Sequence, residues 1–488
     1  MKDGEYRGVK VLVMGLGLHG GGAGTANFFL SRGAEVTVTD LKPEADLYPS
    51  VRALKAGKNL RLVLGRHRFE DFRSADLVIK NPAVPPDSPY LRHAVDHGVR
   101  VDTDIGIFLD KVREITPNLI GVTGTKGKST TATLIHGIFS RAFDGTVLGG
   151  NITVPVLNLL EGIRKNSYVV LELSSFQLGG VREKRYSPRV AVFTNFLEDH
   201  LNYYRNMEGY FEDKSVVFRF QGEGDTLVTN RQDPTLSAVE TKRGVKRVTF
   251  GLDGEFSGEG CYVGSGSVIY RGGGRESRFV TETRAVKLPG AHNLYNVLAA
   301  VATAMSEGVS AAVVSDAVGV FTGIPHRLEY LGEWRTVSFY NDTAATMPDA
   351  AVHGIECFGG PLTLIAGGAD KGLALEGFAR AIRERVAHLV LLEGSGTDRL
   401  VERLAGREDG GETPGGKTPA QTPAPQFSVF GSLGGAFAHA CRITPPGGTV
   451  LLSPGFASFG MFKNEFDRGD QFRDLVKRLM NSNKEGRR

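Results

Sequence analysis

Gly121-Val-Thr-Gly-Thr-Lys-Gly-Lys-Ser-Thr130 follows an apolar pair, Leu119-Ile120, and precedes a helical pattern over 131–138. Strand, glycine-rich turn, lysine, hydroxyl and helix in that order build a cradle for a triphosphate. Small residues let backbone N–H groups point at phosphate oxygens, and Lys128 adds a positive charge. Ser129 or Thr130 lies at the helix N-terminus, where a hydroxyl can hold Mg2+ and the helix dipole favours anions. The strict spacing asks for glycine at 122, where Val122 stands. The match is therefore to the variant Gly124-Thr125-Lys126-Gly127-Lys128-Ser129-Thr130.

Upstream, a strand over 9–14 runs into Gly15-Leu-Gly17-Leu-His-Gly20, then a helix through Phe28, Phe29 and Leu30. A second strand over 35–39 ends at Asp40. G-x-G-x-x-G with an acid after the second strand reads as a dinucleotide fingerprint. Strands over 61–64 and 77–79 complete a small α/β region. Downstream, strands over 168–173 and 190–194 alternate with helices, as parallel sheets do. A glycine-rich β stretch over 226–288 reads as hairpins that interrupt this rhythm, and a helix over 292–307 restores it. A third α/β segment carries strands over 337–340, 362–366, 389–392 and 449–452. The run 406–426, rich in Gly, Pro, Thr and Glu, reads as a disordered surface loop. The tail 481–488 reads as frayed.

The length of 488 residues suggests about three domains. A 41% hydrophobic and 23% charged composition is that of a soluble globular protein. A net charge of +4 is small for this length and points to neither nucleic acid nor an acidic membrane surface. Cys261, Cys357 and Cys441 are far apart, without a zinc or disulfide pattern. No apolar run spans a bilayer, and the first residues lead straight into a strand without a signal peptide. A cytoplasmic enzyme is expected.

Several short stretches carry chemistry. Glu172 closes the apolar strand Val169-Val-Leu and precedes Leu-Ser-Ser-Phe-Gln-Leu178, where a second Mg2+ ligand is expected. Glu198-Asp199-His200 follows the next strand; Asp199 and His200 suit a metal, a phosphate or each other. Lys214, fourteen residues past His200, lies in a helical stretch and by itself reads as solvated. Asn293 and Asn296 are one helical turn apart, and paired amides suit a purine edge; Asn293 equally suits a helix cap. In the third segment, Asn341-Asp342-Thr-Ala-Ala-Thr346, Gly367-Gly-Ala-Asp-Lys371-Gly and Leu452-Ser-Pro-Gly-Phe-Ala-Ser458 each follow a strand. All three belong on one sheet edge, which makes that edge a binding site.

Taken in order, these motifs resemble the Mur ligases over nearly the whole chain. The resemblance rests on the phosphate loop, Gly149-Gly-Asn151-Ile, Glu172-Leu-Ser-Ser-Phe-Gln-Leu, Asp199-His200-Leu and Gly290-Ala-His-Asn-Leu-Tyr-Asn296. It continues through His326-Arg327, Asn341-Asp342, Asp370-Lys371-Gly and Ser458-Phe-x-x-Phe462-Lys-Asn. Glu-Leu-Ser-Ser-Phe-Gln-Leu, Met461-Phe-Lys-Asn and Arg468-Gly-Asp-Gln-Phe472 resemble the D-glutamate-adding branch.

The resemblance implies an α/β protein of three domains. A Rossmann-like UDP-substrate domain would occupy 1–115. A central ATPase-type parallel sheet with an added β-rich part would occupy 116–323. A Rossmann-like amino-acid domain would occupy 324–488. It replaces NAD by UDP at the first glycine turn, with Leu18, His19, Asp40, Lys42 and Asn81 as contacts, joined by Asn151 and Ser174. ATP falls to Gly124, Thr125, Lys126, Gly127, Lys128, Ser129, Thr130, Asn293, Asn296, Arg327 and Asp342. Thr346, Lys371, Ser458 and Phe462 would receive the amino acid.

Two Mg2+ ions are implied, on Ser129, Glu172, His200 and a Lys214 carbamylated by CO2, with Lys128, Glu172, His200 and Lys214 catalytic. The implied reaction is ATP-dependent amide formation between UDP-N-acetylmuramoyl-L-alanine and D-glutamate through an acyl phosphate. Its place would be peptidoglycan synthesis, hence cell wall, cell shape and cell division, carried out by a monomer. Departures from the family pattern are Lys42 for Arg, Ala83 for Gly, Asn202 for Asp and Ala344 for Lys. Alternatives are a related folate-polyglutamylating or diaminopimelate-adding ligase, an NAD-dependent dehydrogenase, or an inactive nucleotide-binding regulator.

Overall fold

The computed structural model describes residues 4–485 apart from 19, 86, 152–154, 202, 275 and 406–424. Expectations for His19, Asn202 and nearly all of the 406–426 run lie outside the described residues. Among those described, the strands form three sheets. The first has five parallel strands in the order Leu60–Leu64, Glu35–Asp40, Lys10–Met14, Leu77–Lys80, Arg100–Asp102. Val11, Val13, Val36 and Val38 alternate inward and carry a core continued by Phe28 and Phe29 of the helix Gly21–Leu30.

The second sheet has nine strands. Third from one edge lies Leu119–Thr123, between Val169–Glu172 and Val190–Phe193. All three are buried on both faces, so they read as unbroken apolar runs. The glycine-rich stretch holds the expected hairpins only from Gly260 onward, and its first strands continue this sheet instead. Thr226–Asn230 and Lys246–Phe250 extend it in parallel, and only the pairs beyond Gly260–Gly264 turn antiparallel. From Val190–Phe193 to Ser277–Glu282 each strand pairs with its neighbour in sequence.

The third sheet has six strands in the order Glu329–Trp334, Val337–Asn341, Thr449–Leu452, Leu362–Gly367, His388–Leu392, Phe427–Phe430. All pairs are parallel except the first. Of the tail 481–488, the last helix, Glu465–Glu485, takes in 481–485, and the rest lies outside the described residues. The helix's Phe472 and Val476 are anchored in the core with Phe339 and Phe437.

The fold class is the three-sheet α/β arrangement expected. Contacts divide the chain into two compact units, Met1–Thr283 with Tyr295–Val318, and Arg284–Leu294 with Gly319–Arg488. Within the first, the core runs without a break from Phe28 and Phe29 to Val156, Leu157 and Leu160. Gly24 permits this approach, since a Cβ there would lie 2.3 Å from Pro155 Cβ. Lys184 adds ion pairs to Asp102 at 3.0 Å and Asp110 at 2.7 Å. No helix among the described residues is long and apolar enough to cross a membrane.

Candidate active site

The phosphate-loop helix starts at Lys128 rather than 131 and runs to Ala142. Gly127 has φ 82°, and a Cβ there would fall 2.0 Å from Asn296 Oδ1. Gly124 has φ 147°, and its Cβ would fall 1.9 Å from Thr194 Oγ1. Both positions therefore require glycine. Two residues missed in the sequence brace the turn from the neighbouring strand end. Thr194 Oγ1 donates to Lys126 O at 2.6 Å. Asn195 Oδ1 accepts from Lys126 N at 2.8 Å while its Nδ2 donates to Lys126 O at 3.1 Å. Their signal was positional, polar residues at the carboxyl end of a buried parallel strand.

Lys214 is 1% exposed, not solvated, in the helix Met207–Arg219. Its Nζ donates to Gly124 O at 2.7 Å, the same carbonyl that Lys128 Nζ reaches at 3.0 Å. Lys128 also donates to Thr125 O at 2.9 Å. Two lysine heads thus converge on one oxygen of the turn. Burial, then the charge of Lys128, pushes Lys214 down to about 6, against the pull of Asp199 and Glu172. Near neutral pH its amine is largely uncharged and nucleophilic.

Glu172 is 2% exposed. Its Oε1 accepts from Asn151 Nδ2 at 3.3 Å, and its Oε2 is buried without a hydrogen-bond donor among the described residues. A buried carboxylate with an open oxygen, at the strand end beside a phosphate loop, fits a divalent cation. No three His, Cys, Asp or Glu side chains converge as a metal cage among the described residues. Any cation here would complete its shell with Ser129 and phosphate or water oxygens.

His200 adopts φ 56°, an uncommon backbone state for a residue with a Cβ. Its ring lies against Phe176 and Tyr210, with centroids 5.2 and 5.8 Å away. Asp199 pairs with Lys126 at 3.2 Å. Burial raises the Asp199 carboxyl, but the Lys126 hydrogen bond and charge outweigh it and hold it below its ordinary value. Ser174 caps the helix Ser175–Gly180 in a reciprocal capping box with Gln177.

At the first sheet, Asp40 Oδ2 accepts from Gly17 N at 3.1 Å and Oδ1 from Lys42 N at 3.0 Å. Asn81 Oδ1 accepts from Ala83 N at 3.0 Å, and its side chain fills the space a Cβ on Gly15 would need. Leu18 is 47% exposed.

In the second unit, Lys371 Nζ donates to Thr346 Oγ1 at 3.0 Å, joining two of the expected amino-acid residues. The Lys371 loop is held by Arg399, which pairs with Asp370 at 2.7 Å. Ser458 is buried, and Phe462 packs into the core beside Phe472 and Met461. Asp342 is buried, accepting from Ser453 Oγ at 2.7 Å and Leu328 N at 3.2 Å. Burial pushes it up to about 7, these hydrogen bonds and Arg327 opposing. Arg327 is exposed, and Asn293 Nδ2 donates to Pro289 O at 2.7 Å.

Arg468, quoted above only as a motif, proves fully buried. It donates to Thr343 Oγ1 at 2.9 Å, Thr343 O at 3.1 Å and Phe456 O at 3.3 Å. It thereby ties the loop bearing Thr346 to the loop bearing Ser458.

A phosphate loop on a parallel sheet, a buried lysine in its turn and three sheets in this order define a family. The sequence pattern of the Mur ligase MurD-like N-terminal domain matches residues 9–103, and that of the Mur ligase middle domain matches residues 122–304. The chain belongs to the Mur ligase family. A UDP-N-acetylmuramoylalanine–D-glutamate ligase of Roseiflexus sp. (strain RS-1) is 41% identical over 97% of this chain and 99% of its own length. The like-named ligase of Geotalea uraniireducens is 37% identical over 97% and 98%. Among solved structures, the UDP-N-acetylmuramate-alanine ligase MurC of Thermotoga maritima shares the fold, with TM-score 0.54 and 19% identity over 97% of this chain and 99% of that one. The chain is a ligase of a family that uses ATP.

Proposed function

We propose that this chain joins D-glutamate to UDP-N-acetylmuramoyl-L-alanine with cleavage of ATP to ADP and phosphate, a step in building peptidoglycan precursor. The observation that carries the chemistry is the meeting of Lys128 and Lys214 on Gly124 O, beside a buried Glu172 with an open oxygen. The substrate is supported by relatives named as D-glutamate ligases at 34–41% identity across nearly the full chain.

In this reading the alanyl carboxylate attacks the γ-phosphorus of ATP, and ADP leaves. The amine of D-glutamate then attacks the acyl carbonyl, gives up a proton, and phosphate leaves. The first step brings two anions together, so positive charge must be concentrated there. Lys128 supplies it from the turn, and the backbone N–H groups of Gly124 to Thr130 orient the phosphates. Glu172 and Ser129 would hold one Mg2+. His200 and a carbamylated Lys214 would face a second. Bound there, the cations would neutralise phosphate charge as the phosphoryl group moves. A largely neutral Lys214 amine is what addition to CO2 demands; the product is a carbamate and a released proton.

Leu18, His19, Asp40, Lys42 and Asn81, with Asn151 and Ser174, would hold the UDP substrate. Asn293, Asn296, Arg327 and Asp342 would contact adenosine and phosphates. Thr346, Lys371, Ser458 and Phe462 would receive the amino acid, a lysine and two hydroxyls suiting carboxylates. One sheet falls within each of the domains 1–115, 116–323 and 324–488, and monomeric action in the cytoplasm belongs to the same proposal. The test is phosphate release with UDP-N-acetylmuramoyl-L-alanine and a panel of D- and L-amino acids. Release that requires both cosubstrates and is fastest with D-glutamate is expected. Release indifferent to the amino acid would overturn the proposal.

A further inference from the structure

His67 lies at the carboxyl edge of the first sheet, on the loop after Leu60–Leu64, and no role above uses it. That strand pairs with Glu35–Asp40, Leu64 opposite Asp40, and Gly65 N donates to Lys42 O at 2.9 Å. His67 therefore shares an edge with Asp40 and Lys42. Phe72 and Tyr90 meet its ring edge-on, with centroids 5.9 and 5.0 Å away, and hold its plane.

The tautomer follows from counting hydrogens. Thr39 is 0% exposed, and its hydroxyl has one hydrogen to give. Arg66 O, 3.1 Å away, can only accept it. Both contacts are made together only with His67 Nδ1, 2.8 Å from the same oxygen, as the donor. The ring carries its proton on Nδ1 and leaves Nε2 bare. Among the described residues no hydrogen-bond donor reaches Nε2. Burial holds the imidazole below its ordinary value, against the pull of Asp40, so it stays neutral near pH 7.

On sheets of this order a nucleotide lays its phosphates over the glycine turn, and its sugar and base reach out past the next strand end. Here that direction leads past Asp40 toward the His67 loop. Leu18 and Leu41, 47% and 64% exposed, offer aliphatic surface for the flat faces of a base.

We propose that His67 reads the base of the UDP substrate, its Nε2 accepting the imide N3–H of uracil. This rests on the reading of the first sheet as the UDP site. Cytosine has a lone pair at N3, and 3-methyluracil has a methyl group; neither can make the bond, and both leave Nε2 facing an unsuitable group.

Calorimetric titration of the full chain with UDP, CDP and 3-methyl-UDP tests this. The wild type is expected to bind UDP at least about tenfold more tightly than either analogue, as one hydrogen bond between well-placed partners permits. His67→Phe keeps the ring packing and removes the nitrogens. It should bind all three alike, with ADP affinity unchanged. His67→Gln, which retains an acceptor, should recover part of the preference. A full preference for UDP in His67→Phe would overturn the inference while leaving the UDP site standing. Should neither variant fold, undiminished binding of 3-methyl-UDP by the wild type would overturn it equally. No binding of UDP to the wild type would bring down the site reading itself.

Discussion

Two glycine turns in this chain have the same backbone plan and opposite electrostatics. Each follows a buried parallel strand and opens a helix, Gly21–Leu30 in the first sheet and Lys128–Ala142 in the second. The turn at Gly124 to Gly127 holds two lysine heads and has at its side an acid with an open oxygen. The turn at Gly15 to Gly20 has no lysine or arginine, and its acid, Asp40, spends both oxygens on backbone N–H groups of Gly17 and Lys42. The first arrangement suits a reacting triphosphate; the second suits a phosphate that is only held. The glycines fix where phosphate can lie, and the charges around them fix whether it reacts.

The largest expected break in this contrast is Lys128→Ala. Losing the charge nearest the transferred phosphate should lower turnover on the order of a hundredfold or more. Melting temperature should hold, because this side chain contributes little to the core. Turnover near the wild type in a phosphate-release assay would remove the phosphate-loop assignment.

Lys214→Ala comes next. We expect it to be nearly inactive and partly restored by acetate, a small carboxylate that fits the vacated space. In the wild type, 13C-labelled CO2 should give a carbamate signal at pH 7.5. That signal should fade as pH falls through about 6, where the amine takes up a proton and can no longer add to CO2. A Lys214 that stays a plain amine would show neither rescue nor signal.

Asp40→Ala sharpens the other side. The glycine turn loses the carboxylate that holds Gly17 N, and affinity for UDP-N-acetylmuramoyl-L-alanine should fall about tenfold, as for a lost charge-assisted hydrogen bond. ADP binding should not change. Titration with NAD should give no binding before or after; tight NAD binding would return the turn to its dinucleotide reading.

The smallest effect is expected for Ala344→Lys, which restores the residue usual in the resembling family. Added to a loop edge, one cation should lower the KM for D-glutamate by no more than about fivefold. A KM that rises would show that Lys371, already seated on Thr346, needs no second cation.

The sequence made the parallel strands legible because their burial on both faces leaves unbroken apolar runs such as Val169-Val-Leu. It made the turns legible through glycines whose conformation nothing else adopts readily. It misread the start of the stretch after Thr226, since glycine content signals turns and does not say whether the next strand returns parallel or antiparallel. The edge strands Glu329–Trp334 and Phe427–Phe430 escaped because edges alternate weakly and face water. At the site, Glu172 could be picked out by position, whereas the burial of Lys214 could not. Its head meets the Gly124 carbonyl, ninety residues earlier in the chain. Arg468 gave only a motif match, for the same reason: its partners, Thr343 and Phe456, belong to separate loops.

Arg468 has one more consequence, in the time order of synthesis. The loops bearing Thr346 and Ser458 stay untied until residue 468 has left the ribosome, whereas the turn and Lys214 are complete 254 residues earlier. At about 5–20 residues per second, roughly 13 to 50 seconds separate the two events. A nascent chain in that interval has the phosphate turn and Lys214 synthesised and the loops at Thr346 and Ser458 still untied. Stalling or clipping just ahead of Arg468 would leave a protein that keeps its phosphate turn and has lost the tie between the Thr346 and Ser458 loops.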